Sequence, residues 1–141
     1  MKKIISLMLV FILLLGCVCA ITSCGKDKDD EKEEEVTPNK DYKKAAEALE
    51  EAGYTVSAYD VDDLPYMEEE GYEATISAMK DDDAISIAYC VDSKTANAMY
   101  DEAKEQLKAM NESAPEGVKY VAGKSGNMVW MGTKAAIKAA K

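Results

Sequence analysis

Between Ile4 and Leu15 the chain is apolar at every position except Ser6, and between Lys26 and Glu35 it reads KDKDDEKEEE, without one apolar residue. Neither segment can supply half of a water-soluble core. The first has no polar side to present to solvent, and the second buries nothing that could offset the entropy of ordering it. Whatever folds must therefore be built from residues 40–141, enough for a single core and too few for two. The charged run and its flanks, residues 24–39, are expected to be a disordered, repulsion-stretched tether.

Met1-Lys2-Lys3, the apolar run, and the small residues and cysteines after it follow the order of a secretory signal. Leu14-Leu15-Gly16-Cys17 and Ile21-Thr22-Ser23-Cys24 each resemble the lipobox of bacterial lipoproteins, in which a small residue precedes the cysteine that receives diacylglycerol. The resemblance stops near residue 25 and implies location, not activity. It implies a signal peptide over residues 1–23, acylation of Cys24, and an exported protein held to the outer face of the bacterial membrane by covalent lipid. Cys17 is the alternative attachment point. Cleavage before Cys24 removes Cys17 and Cys19 together, whereas cleavage before Cys17 would leave three thiols near the new N-terminus in an oxidising exterior. Two acyl chains, at about 0.8 kcal/mol per buried methylene, make a durable anchor. If the signal were instead retained as a membrane helix, Lys2 and Lys3 would keep the same orientation.

Charge narrows the partners. Loss of residues 1–23 takes Lys2 and Lys3 away and leaves 15 lysines against 27 acids, a net charge of −12. Nucleic acid is excluded as an expected partner, because phosphate binding relies on clustered cations, and anionic headgroups are disfavoured for the same reason. The chain has no arginine and no histidine. Serine–histidine and cysteine–histidine catalysis, histidine-bound zinc and histidine-bound haem are thereby ruled out, and no cofactor is expected.

Hydrophobic periodicity predicts a helix over residues 41–52, with Tyr42, Ala45, Ala46, Leu49 and Ala52 on one face and Gly53 at its end. A strand over 54–59 follows, then a loop holding Pro65 and Glu68 to Glu70. Alternation over 72–79 and 84–91 predicts a hairpin turned by Asp81-Asp82-Asp83. Ala96, Met99, Tyr100, Ala103, Leu107 and Met110 form the stripe of a helix over 94–111 capped by Ser93. Two short strands, 118–122 and 128–131, and a last helix capped by Thr133 complete the order α-β-β-β-α-β-β-α. The expected class is α+β, a two-layer sandwich with the helices on one face of a mainly antiparallel sheet.

Several side-chain groups invite a chemical reading. Asp60-Val61-Asp62-Asp63 is rich in carboxylate, but Leu64 and Pro65 stand where a calcium loop needs an oxygen ligand and a glycine, so a solvated loop and no metal site are expected. Three adjacent aspartates at 81–83 suit a turn better than the two opposed acids of a glycosidase. Cys90 is read as small buried filler, on the strand face of Ala84, Ser86 and Ala88. No catalytic residue is assigned. Tyrosine is the more suggestive residue: Tyr59, Tyr66, Tyr72 and Trp130 are candidates for stacking on a glycan or anchoring a peptide. The expected function is that of a non-catalytic binding or interaction module at the cell envelope, with an envelope protein or glycan as partner. A hydrolase of envelope material using Asp and Glu is the alternative, and it requires two carboxylates in one cleft.

Overall fold

The computed structural model of the chain describes residues 36–141. The lipobox, Cys17 and Cys24 lie outside the described residues. Among the described residues, no helix is long and apolar enough to cross a membrane.

The chain enters the domain earlier than the charge pattern suggests. Val36 packs against the core. Asn39 donates its N–H to the Ala140 carbonyl at 2.7 Å and accepts the Tyr89 hydroxyl at 2.8 Å on its own carbonyl. The last residues assigned to the tether are thus part of the fold, held by partners 50 and 101 residues away that local composition does not reveal.

Helix α1 spans Tyr42–Glu51. Asp41 caps it, accepting the N–H groups of Lys43 and Lys44 and so satisfying donors that have no partner in the first turn. Ala45 and Leu49, one turn apart, are fully buried. Gly53 adopts φ +85°, a left-handed conformation that lets Tyr54 N–H reach the Leu49 carbonyl at 3.0 Å. Lys80 donates to the Ala52 carbonyl at 2.7 Å, closing the helix end.

Strand β1 (Thr55–Asp60) leads through a loop and the one-turn helix α2 (Tyr66–Glu69) to β2 (Tyr72–Lys80) and β3 (Asp83–Cys90). The β2–β3 turn has only Asp81 and Asp82 at its tip, with Asp81 left-handed at φ +52°. Helix α3 (Ser93–Ser113) follows, then β4 (Tyr120–Ser125), β5 (Met128–Thr133) and α4 (Lys134–Ala139). The cap of α3 is Asp92, not Ser93: its carboxylate accepts Thr95 N–H at 2.7 Å. Thr133 caps α4 as the sequence suggests, accepting Ala136 N–H while donating its hydroxyl to Asp83 at 2.7 Å.

All strand pairs are antiparallel, in the order β1-β2-β3-β5-β4. The fold is α+β with an open five-stranded sheet, and the elements follow the expected order with α2 added. The helices, however, are shared between both sheet faces. On the first face, α1 and α4 cover Ile76, Ile85, Ile87, Tyr89 and Trp130. On the second, α3 and α2 cover Tyr72, Ala88, Cys90 and Val129, with Met67, Ala96 and Met99 supplied by the helices. β3 and β5 are therefore buried on both sides. Alternating Ala and Ser along β3 resembles a face with little to bury. In fact the small side chains at Ala88 and Cys90 leave room for a helix backbone to approach.

Candidate functional site

The four aromatic candidates separate into two pairs. Tyr72 and Trp130 are 2% and 3% exposed and sit in different core clusters on opposite faces of the sheet, so neither can stack on a ligand. Strand parity could not show this, because each face is roofed in part by a helix from elsewhere in the chain, α1 over the first and α3 over the second. Tyr59 and Tyr66 are 47% and 48% exposed. Tyr59 projects from β1 on the second face, opposite Thr75, and Tyr66 opens α2, whose Met67 is buried in the cluster of that same face. These two remain available to a partner.

Around Tyr59 lies a portion of the second face that α3 does not cover. Thr55, Ser57 and Tyr59 alternate along β1 and are exposed, and opposite them stand the half-buried Met79, Ser77 and Thr75. The patch is mainly hydroxyl-bearing.

Where β2 and β3 meet the N-terminus of α1, a shallow cavity of about 380 Å³ is lined by Lys40, Asp41, Tyr42, Glu73, Ala74 and Tyr89. The Tyr42 and Tyr89 rings meet edge to face at 6.2 Å. The Tyr42 hydroxyl donates to Asp60, whose other oxygen accepts the N–H groups of Asp62 and Asp63 at 3.0 and 3.2 Å. The Asp60-Val61-Asp62-Asp63 segment is thus a self-capped turn docked onto α1. Among the described residues, no group of three or more acids or thiols is placed to hold a metal ion.

The Tyr42–Asp60 bond moves both acidities. Donation to the carboxylate, aided by burial and by the negative charges of Asp60, Asp63 and Asp62, raises Tyr42 from its ordinary 10.0 to about 12. The same bond, with the two backbone donors, holds Asp60 below its ordinary 3.8. A tyrosine whose folded value is raised contributes stability in full below its unfolded value of 10.0, and that contribution is lost as pH rises through 12. A carboxyl whose folded value is lowered contributes in full above its unfolded 3.8 and is lost as pH falls through the lowered value. Tyr42→Phe should therefore lower the Tm by a constant few degrees between about pH 5 and 9, with the difference from wild type shrinking towards both extremes. Thermal melts across pH measure it, and a difference that persists undiminished to high pH would refute the pairing.

The lone cysteine in the folded part has no chemistry to offer. Cys90 is fully buried, its thiol 3.4 Å from the Met99 sulfur, and burial, aided by Asp92 and Glu73, pushes it up to about 11. Thiolate and access are both lacking. Native protein carrying Cys24→Ala and cleared of its signal should leave Cys90 unlabelled by an aromatic disulfide reagent at neutral pH, with stoichiometric labelling on adding denaturant. Rapid native labelling would show the α3 side of the core opening. Asp41, Asp83 and Asp92 are likewise committed, two to helix caps and one to Thr133.

The two edges of the sheet are treated differently. At β4, Asn111 of α3 binds both backbone groups of Tyr120: the amide N–H₂ donates to its carbonyl at 3.0 Å and the amide oxygen accepts its N–H at 2.8 Å. Lys124 on the same strand bonds Asn97. At β1 the sequence Thr55-Val56-Ser57-Ala58-Tyr59 holds no charge and no proline, and among the described residues no strand lies beyond it. No protein family, curated protein or solved structure matches the chain.

Proposed function

We propose that this chain is an exported lipoprotein, anchored through Cys24, whose α+β domain is a non-catalytic binding module for another envelope component, protein or glycan. The location rests on the lipobox resemblance. The binding role is supported by the β1 edge beside its hydroxyl-bearing face: edge strands are ordinarily blunted, as β4 is here, and among the described residues no strand pairs with the outer side of this one.

The test is made on full-length protein expressed in a bacterial host and extracted from membranes, beside a Cys24→Ala variant. A mass beginning at Cys24 plus diacylglycerol, lost in the variant, supports the anchor, and a mass beginning at Met1 overturns it. Cross-linking from Tyr59 and Ser57 in the same cells should trap one stoichiometric envelope component. Release of soluble fragments from purified envelope material would overturn the non-catalytic assignment in favour of a hydrolase.

A further inference from the structure

Val61 donates its N–H to the Glu73 carbonyl at 3.2 Å, and the register places Asp60 opposite Ala74, Ala58 opposite Ile76 and Val56 opposite Ala78. Backbone groups alternate sides along an antiparallel strand, so Tyr59, Ser57 and Thr55 face β2. Val56 and Ala58 consequently point their N–H and C=O groups away from the sheet, while the Asp60 carbonyl is taken by Leu64 N–H at 3.0 Å. A strand laid along this edge would find two donors and two acceptors in ladder register.

Charge selects the occupant. Residues 42–80, which run from α1 through β1 to the end of β2, hold ten acids against three lysines, Lys43, Lys44 and Lys80. Eight of these acids are exposed, Glu50 and Glu51 before β1 and Asp62 and Asp63 after it among them. Of the three lysines, Lys80 is engaged with the Ala52 carbonyl, and Lys43 lies over the Tyr42 ring near Asp60. A second copy of the chain would bring the same acids to the same edge and be repelled. We infer that the β1 edge takes up an extended, lysine- or arginine-bearing segment of another envelope protein by strand addition, with Val56 and Ala58 supplying the backbone hydrogen bonds. Tyr59 and Ser57 would line one side of the added strand. This rests on the binding-module reading and names its partner class.

The experiment uses full-length protein in non-ionic detergent and a synthetic peptide of about ten residues alternating lysine with valine, with a glutamate–valine peptide as control. The lysine peptide should slow amide exchange at Val56 and Ala58, with affinity falling as salt rises, and the glutamate peptide should leave both amides unprotected. Ala58→Pro removes one outward donor without touching a bond to β2, and should weaken binding at least about tenfold. Ser57→Lys adds a like charge at an exposed position, should weaken binding about threefold, and serves where Ala58→Pro perturbs folding. Equal affinity for the two peptides, unchanged binding by Ser57→Lys, or protection at Val56 and Ala58 that grows with protein concentration alone would overturn the inference. A stoichiometric partner cross-linked in cells while these amides stay unprotected would leave the binding-module reading standing and this one refuted.

Discussion

Gly132→Ala should lose about 3 kcal/mol or more, enough to bring a domain of this size close to unfolding. Gly132 lies on β5 opposite Ile85 of β3 and Val121 of β4. A methyl group there would fall 2.6 Å from the Ala84 carbonyl oxygen, 2.8 Å from Ile85 Cα and 2.9 Å from Ile85 Cβ. Two of these neighbours are backbone atoms of the central strand, which is hydrogen-bonded on both sides and cannot withdraw without breaking a ladder. The chain has one tryptophan, so urea unfolding followed by Trp130 fluorescence reads the loss directly as a shift in midpoint. A shift smaller than that of an ordinary surface substitution would mean that β3 and β5 are further apart than described.

Gly123 presents the complementary case, in which the obstacle is a side chain. It stands opposite Trp130, and a methyl would come within 2.4 Å of the indole Cε2 and Cζ2 atoms. Gly123→Ala alone should cost about 2–3 kcal/mol, since the ring is 3% exposed and enclosed by the first-face core. Trp130→Ala alone should cost about 3–5 kcal/mol in lost burial and cavity. Combined, the two should cost about 1–2 kcal/mol less than their sum, because the methyl enters space that the ring has vacated. Circular dichroism during urea unfolding measures all three variants, and strict additivity would show that the indole is not what excludes a side chain at 123. The cycle also separates roles. Any partner binding lost in Trp130→Ala is expected to follow the loss of folded protein, in contrast to substitutions at the exposed Tyr59.

Much of the local structure could be read along the chain because its causes are local. The stripe of Ala45 and Leu49, the stripe of Ala96, Met99 and Ala103, and the alternation of β2 and β3 each state a period, and each became the element that the period implies. Turn and cap residues behaved likewise at Gly53, Asp81 and Thr133, whereas Asp41, expected as the first helical residue, is the cap before it. The cap of α3 slipped by one residue because Asp92 and Ser93 are both capable, and the extended backbone at Asp92 puts its carboxylate on Thr95 N–H. The α2 turn, four residues in a loop with Pro65 before it, was too short to show a period.

The candidate site was less legible. In the sequence Tyr59 and Tyr66 look no different from Tyr72 and Trp130, because all four are amphipathic rings and composition cannot tell an exposed ring from one roofed by a helix. In the sequence Tyr42 shows only as part of the apolar face of α1. Its pairing with Asp60, 18 residues on, needed the packing of α1 against β1 to become visible.

The sequence by itself determined where apolar and charged segments fall, which chemistries lack their residues, and which stretches must be helix or strand, since each depends on side chains within a turn or two of one another. Only the tertiary structure decided that β5 inserts between β3 and β4, that helices divide between the two faces, and that β1 is an outermost strand among the described residues. Those outcomes follow from strand register and long-range burial, where residues far apart in the chain compete for the same neighbours and no local period records the winner.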